Sequence, residues 1–158
     1  MGIIGTFEGW VSDTLVIYNG GSWNYVSNAG VTCTTGETNG LILYPYRYAN
    51  GGGGTVIWYD AVVRLNSTFN ITKYKYIKVS CTVGGEAQYT TVYVGVSSSQ
   101  NMTNLGFTAT ATLNGSGTCI SNISSISGDY YIYIGARSQY LYNYRPNVNI
   151  NTIVVSTT

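Results

Sequence analysis

Apolar and polar residues alternate along most of the chain. The stretch 107–113 reads FTATATL, so four apolar residues, beginning with Phe107, are predicted on one face of a strand and three threonines on the other. The same alternation runs through 76–83, 89–97 and 130–136, where Val, Ile, Cys and Ala alternate with Lys, Ser, Thr, Tyr and Gly. A period of two predicts half-buried β-strands. No segment shows the spacing of an amphipathic helix.

Shorter runs rich in β-branched and aromatic residues predict further strands, and Gly-containing turns separate them. About ten short strands with a turn every 8–12 residues are typical of a sandwich or barrel, and the lack of helical segments favours an antiparallel jelly-roll β-sandwich. No linker divides the chain, so residues 1–158 are predicted to form one domain. The additional predicted strands are 15–18, 23–27, 41–48, 55–65, 119–123 and 148–155.

Two of the alternating segments resemble each other. TVYVGVSSS (91–99) and YIYIGARSQ (131–139) place Tyr, Gly and β-branched residues in the same order, forty positions apart. Nothing else recurs at that period, so we interpret the pair as two central strands in similar surroundings rather than as a duplicated unit.

The composition is poor in charge and contains no histidine. Lys and Arg number 7, Asp and Glu number 6, and the net charge is +1. Ordinary domains spend about a quarter of their residues on charge. A near-neutral chain has no net positive charge large enough to attract nucleic acid or anionic membranes. The absence of His removes the commonest general base and metal ligand. We therefore expect no enzymatic role, no catalytic residues, no metal and no cofactor.

Asp60 is the one acidic residue with a suggestive setting, because the others are scattered and mostly lie in predicted turns. It shares a predicted strand face with Trp58 and Arg64. An Asp60–Arg64 pair beside an indole has two interpretations. It lines a concave site, or it is an ion pair on an open sheet face, and the second is favoured.

Tyrosine, with 16 copies, forms rows rather than a diffuse excess. Segments 43–47 and 141–145 share the order Leu-Tyr-x-Tyr-Arg, and Pro45 indicates an edge strand or bulge in the first. Tyr and Arg are enriched at protein interfaces, flat aromatic rows also stack on sugar rings, and a Tyr-rich composition alone also produces such rows. The candidate binding or interface residues are Trp23, Tyr44, Tyr46, Arg47, Tyr48, Trp58, Asp60, Arg64, Tyr140, Tyr142, Tyr144 and Arg145.

The three cysteines, Cys33, Cys81 and Cys119, lack the close pairs of zinc sites. They form either one disulfide with a spare thiol or three buried free thiols, and the latter is favoured. The sequence shows no secretory signal and no apolar run of the roughly 20 residues that span a bilayer. We expect synthesis in the cytoplasm without membrane insertion.

Three segments carry a family resemblance: FNITKYKYIKVSCTVGG (69–85), TVYVGVSSSQNMTNLGFTATATLNGSGTC (91–119) and ISSISGDYYIYIGARS (123–138). Together they resemble β-sandwich domains in tail and other virion proteins of phages and prophages of Gram-positive bacteria. The resemblance implies a jelly roll similar to a carbohydrate-binding module, no enzymatic activity, and a role in virion structure or host attachment. It carries no fixed ligand residues.

These observations lead to three functional expectations. The first is a virion protein, either a capsid decoration protein or a tail-associated protein, that forms a homo-oligomer and contacts other virion proteins through Tyr/Arg-rich sheet edges. The second is a carbohydrate-binding module or adhesin for a cell-surface glycan, with Trp23, Trp58 and the tyrosine rows as its platform. The third and weakest is an enzyme with carboxylates around Asp60. The expected location is the virion, or alternatively the cell surface or the extracellular space.

Overall fold

The computed structural model describes residues 14–18, 31–49, 56–85, 87–139 and 146–158, with the backbone alone for 46–49 and 56–59. These residues form fourteen strands and one 3-10 turn (Ala87–Tyr89), which confirms the all-β class. The strands are β1 (Thr14–Tyr18), β2 (Val31–Thr35), β3 (Glu37–Asn39), β4 (Ile42–Tyr44), β5 (Tyr46–Ala49), β6 (Val56–Tyr59), β7 (Ala61–Leu65), β8 (Phe69–Asn70), β9 (Tyr76–Gly84), β10 (Thr90–Ser97), β11 (Thr108–Asn114), β12 (Gly117–Asn122), β13 (Asp129–Ser138) and β14 (Asn147–Ser156).

The strands form two six-stranded antiparallel sheets and a separate two-stranded sheet. Sheet A has the order β12-β9-β14-β4-β3, with β1 also paired to β14. Sheet B has the order β11-β10-β13-β7-β2, with β8 also paired to β13. Eight of these strands follow the jelly-roll order, 4-14-9-12 in one sheet and 7-13-10-11 in the other. The predicted jelly-roll β-sandwich is confirmed.

The main core lies between the inner faces of the two sheets. Val79 of β9, Val94 of β10 and Ile153 of β14 are completely buried there, and Ile134 of β13 is almost so. The alternation predicted in β9, β10 and β13 is confirmed, because their Val, Ile, Cys and Ala residues point inward. Burial of these apolar faces is the main force that holds the sheets together.

A second, smaller core covers the outer face of sheet B. The connection between β10 and β11 (98–107) folds over this face, so Leu105 and Phe107 pack against Val62, Tyr131 and Tyr133. The ring of Phe107 stacks on that of Tyr133, with centroids 5.1 Å apart. Tyr133 is completely buried as a result. One sheet of the sandwich is therefore covered on both faces.

The prediction that Phe107 lies on the same strand face as Ala109 and Ala111 is wrong. Ala109 and Ala111 pack against the main core as expected, but Phe107 belongs to the second core on the opposite face. The alternation breaks because Ala109 has a left-handed backbone (φ 55°) and the β10–β11 register shifts between Val94 and Val96. A bulge of this kind moves the preceding residues to the other side of the strand.

Gly95 and Gly135 explain why the two similar segments resemble each other. β10 and β13 are neighbours in the middle of sheet B, which confirms the interpretation of two central strands. In their ladder each glycine lies opposite a tyrosine, Gly95 opposite Tyr133 and Gly135 opposite Tyr93. A Cβ at Gly95 would lie 2.6 Å from the Cβ of Phe107. The glycines thus let the covering connection approach the sheet.

Two predicted strands are each divided in the structure. The run 41–48 breaks at Pro45, which has no N–H to donate, into β4 of sheet A and β5 of the small sheet. The run 55–65 breaks at Asp60 into β6 and β7. The short strands β2, β3 and β8 were not predicted, because two to five residues with no clear alternation give no periodic signal. The predicted strand 23–27 lies outside the described residues.

Replacing Gly95 by alanine tests the close packing of the covering connection. The new methyl would meet the Cβ of Phe107 at 2.6 Å and the backbone oxygen of Thr108 at 2.8 Å, so we expect a loss of about 1–3 kcal/mol in the free energy of unfolding. Gly106→Ala is the matched control, since its Cβ would approach only the side chain of Asn104, at 3.1 Å. Urea unfolding of both variants measures the difference, and equal stabilities would contradict this account.

Candidate functional site

The small sheet made by β5 and β6, here called the ribbon, contains four of the predicted interface residues. β5 follows β4 directly after Pro45, and β6 ends directly before Asp60 and β7. The ribbon therefore continues one strand from each sheet. Its register pairs Arg47 with Trp58 and places Tyr46 opposite Tyr59. Since paired residues of an antiparallel ladder share a face, one face holds Tyr46, Tyr48, Ile57 and Tyr59 and the other holds Arg47, Ala49, Val56 and Trp58.

Asp60 anchors the base of the ribbon, and its partner differs from the predicted one. Both carboxylate oxygens of Asp60 accept hydrogen bonds from Arg137, from Nε at 2.8 Å and from Nη2 at 2.7 Å. The Asp60 side chain is 14% exposed and that of Arg137 is 37% exposed. The predicted Asp60–Arg64 pair is thus wrong, because β13 runs beside β7 and brings Arg137 next to Asp60. The hydrogen bonds to Asp60 raise the pKa of Arg137 above its ordinary value.

Arg64 instead holds the covering connection of sheet B in place. Its Nε donates to the backbone oxygen of Gln100 at 2.8 Å, and its Nη1 donates to the backbone oxygens of Leu65 and Asn66. The guanidinium also lies 4.8 Å from the centre of the Tyr131 ring, within the range of a cation–π interaction. Arg64 is therefore a structural residue.

The remaining predicted residues divide into two groups. Tyr44 is half-buried in β4, where it pairs with Glu37 of β3. The structure therefore separates Tyr44, in sheet A, from Tyr46 and Tyr48, in the ribbon. Trp23, Tyr140, Tyr142, Tyr144 and Arg145 lie outside the described residues.

A groove of about 310 Å³ opens on sheet A at an interruption of the pairing along β14. β1 reaches only as far as Ile153 along that strand, and β4 begins opposite Asn149. The ladder between β14 and β9 also shifts register between Ile150 and Thr152. This groove, the asparagine groove, is lined by Tyr18, Asn39, Leu41, Ile42, Asn149, Ile150 and Asn151.

Amide side chains supply most of the polar groups of the asparagine groove. Asn149 donates from Nδ2 to Oδ1 of Asn147 at 2.7 Å, and Asn151 donates from Nδ2 to Oγ1 of Thr82 at 2.9 Å. Each of these bonds uses one amide hydrogen and leaves the carbonyl oxygen of the same side chain for another partner. No charged residue lines the groove within the described part of the chain.

Sequence reasoning missed both Arg137 and the asparagine groove. The partner of Asp60 depends on the neighbour of β7, which periodicity does not reveal. The asparagines did leave a signal, because the segment NVNIN (147–151) places three of them at every second position at the start of β14. Alternating amides on the outer face of a strand are a pattern that sequence reasoning can use.

The cysteines offer no exposed pair. All three are free thiols. Cys81 and Cys119 are buried in the main core, whereas Cys33 is exposed because β2 is an edge strand of sheet B. The expectation of buried thiols is therefore confirmed for two and wrong for Cys33. Burial, with a smaller contribution from Cys81, raises the pKa of the Cys119 thiol to about 11.

The described residues contain no group of three or more His, Cys, Asp and Glu side chains close enough to hold a metal ion. Within the same residues, no helix has the length and apolar character that crossing a membrane requires. No model of a known protein family matches the chain, and no curated protein matches it significantly.

Removing the negative charge of Asp60 tests its anchoring role. In Asp60→Asn the bidentate ion pair is lost while the size of the side chain is kept, and we expect the free energy of unfolding to fall by about 1–2 kcal/mol. Asp129→Asn, at an exposed acid that starts β13, is the control and should change little. Thermal or urea unfolding measures both. An Asp60→Asn protein as stable as Asp129→Asn would contradict the anchor.

Thiol labelling tests the placement of the cysteines. At pH 8 the native protein should react quickly with a thiol reagent at Cys33 alone, because burial limits access to Cys81 and Cys119 and raises the pKa of both thiols. In urea all three should react at similar rates. Mass spectrometry of the labelled peptides identifies the sites, and rapid labelling of Cys119 in the folded protein would refute the core assignment.

Proposed function

We propose that the protein is a non-enzymatic structural protein of a virion, a capsid decoration protein or a tail-associated binding protein, which assembles as a homo-oligomer. The observation that carries the proposal is the ribbon. β5 and β6 pair only with each other among the described strands, and their paired positions hold Tyr, Trp and Arg. These are the residue types enriched at the energetic centres of interfaces. The resemblance of the three sequence segments supports the virion as the proposed place of assembly.

A covering surface would stabilise the ribbon beyond its contacts with β13. A two-stranded antiparallel pair is marginally stable in water at best, so it gains stability when a partner packs on it. Within the described residues, the outer edge of each ribbon strand also has no ladder partner. Such edges accept a further strand through backbone hydrogen bonds. A second copy of the chain supplies both an aromatic surface and an edge of the same kind.

The side of the sandwich formed by β11 and β12 supports assembly independently. No charged residue occurs between Glu86 and Asp129, a stretch that contains both of these edge strands. Ile120 of β12 is 50% exposed, and the threonines of β11 are exposed. Proteins commonly protect edge strands with charges, prolines or bulges. Here only the bulge near Ala109 is present, which suits a surface that neighbouring subunits cover.

The double variant Tyr46→Ser/Tyr48→Ser tests assembly through the ribbon. It removes two aromatic residues from one ribbon face, so we expect the oligomer to dissociate at least tenfold more readily. Light scattering after size-exclusion chromatography at several concentrations provides the measurement. Tyr76→Ser, at a half-exposed tyrosine on the outer face of sheet A, is the control and should leave the oligomer intact. A wild-type protein that stays monomeric, or a double variant that assembles normally, would overturn this part of the proposal.

Electron microscopy of particles produced with and without this protein tests the virion role separately. We expect density at regular positions of the capsid or tail that disappears when the protein is absent. Particles that are identical in both preparations would show that the protein has no structural place in the virion.

A further inference from the structure

We propose that the asparagine groove binds a neutral carbohydrate. The groove lies on sheet A, on β1, β3, β4 and β14, and none of its lining belongs to the ribbon. This binding activity goes beyond the proposed assembly role and uses a different part of the molecule. The volume of the groove, about 310 Å³, is at the lower end of the range for ligand pockets. This size suits one or two sugar units rather than a folded partner.

The polar groups of the groove match the chemistry of a sugar. A sugar hydroxyl both donates and accepts a hydrogen bond, and an asparagine side chain offers both an N–H donor and a carbonyl acceptor. In the described part of the chain, Asn39 has no side-chain hydrogen bond, and the bonds of Asn149 and Asn151 use only their amide nitrogens. Three side chains can therefore bond to hydroxyl groups without breaking a bond of the protein.

Two of these side chains are already oriented. Asn149 is bonded to Asn147, and Asn151 is bonded to Thr82 of the neighbouring strand β9. A side chain that is held in one orientation loses less conformational entropy when a ligand binds. The position of the asparagines on strands also reduces this entropy loss, because a sheet holds its residues more rigidly than a loop does.

The apolar part of the lining complements the carbon-bound faces of a sugar ring. Tyr18, Leu41 and Ile42 contribute to the groove beside the asparagines. Tyr18 ends β1 and is half-buried against the main core, so its position is fixed by packing. An aromatic side chain with one apolar surface and a polar tip suits a ligand that has C–H faces and hydroxyl edges.

The absence of charge from the lining determines which sugars fit. An anionic ligand such as a sialylated or phosphorylated glycan needs a Lys or Arg partner to offset the loss of its hydration. The groove supplies none in its described lining. Amide groups bond to neutral hydroxyls at no such cost, so we expect neutral hexose and deoxyhexose polymers to bind and acidic glycans to be rejected.

An oligosaccharide array tests the inference. The probes are neutral glucan, galactan, mannan and rhamnan fragments, with sialylated and phosphorylated oligosaccharides beside them, and the wild-type protein is applied at up to millimolar concentration. We expect binding to at least one neutral series and none to the acidic probes. The absence of neutral binding, or stronger binding to the acidic probes, would overturn the inference.

Variants then locate the site with the neutral probe that binds best. Asn149→Ala and Asn151→Ala should each weaken binding about tenfold, as the loss of one hydrogen bond predicts. Tyr18→Phe keeps the ring and should cost less than Tyr18→Leu, which removes it. Asn101→Ala, at an exposed asparagine in the covering connection of sheet B, is the matched control and should bind like the wild type.

Stability and assembly are measured on the same variants. Asn149→Ala and Asn151→Ala each lose one side-chain hydrogen bond of the protein, so they should be slightly less stable but fully folded without urea, and they should form the same oligomer as the wild type. This separates the test from that of the ribbon. If Asn149→Ala/Asn151→Ala is folded and binds the probe as the wild type does, the groove is not the site and the inference fails.

Discussion

The ion pair between Asp60 and Arg137 lies where three segments of the chain meet: the junction of β6 and β7, the crossing from β2 to β3, and β13. β6 of the ribbon ends directly before Asp60, and β7 of sheet B begins directly after it. The crossing from β2 to β3 passes beside it, so closely that a Cβ at Gly36 would lie 2.4 Å from the backbone oxygen of Asp60. Gly36 has a φ of 79°, in the left-handed region that suits glycine. The direction of the ribbon therefore depends on a carboxylate held by two hydrogen bonds and on a glycine that lets the chain cross.

Periodicity in the sequence was enough to predict the sandwich but not its local departures. β9, β10 and β13 lie where alternation predicts them, because each buries one face in the same core. Alternation failed at Phe107, where the left-handed Ala109 reverses the sides of the strand. It also failed for the partner of Asp60, because the choice between Arg64 and Arg137 depends on which strand lies beside β7. Such departures come from contacts between residues distant in sequence, which a local pattern does not contain.

The two proposed recognition surfaces rest on different physical features. The ribbon offers backbone edges and large aromatic residues, which favour a protein partner. The asparagine groove is small, uncharged and rich in amides, which favours a ligand of hydroxyl groups. Two tyrosines have neither role, since Tyr131 and Tyr133 are buried beneath the covering connection of sheet B. Part of the abundance of tyrosine thus reflects a second core.

The central position of β14 has a consequence for how the protein folds. This last strand of the jelly roll pairs with β9, β4 and β1 and joins three parts of sheet A that share no other ladder among the described strands. Until β14 has been synthesised, β9 and β4 each have one open edge, and the inner face of sheet A is incomplete. Contacts between such distant parts of a chain form slowly and leave strand edges exposed during folding. Sheet A can therefore close only after translation of the whole jelly roll, and the growing chain depends until then on the hairpins that are already paired.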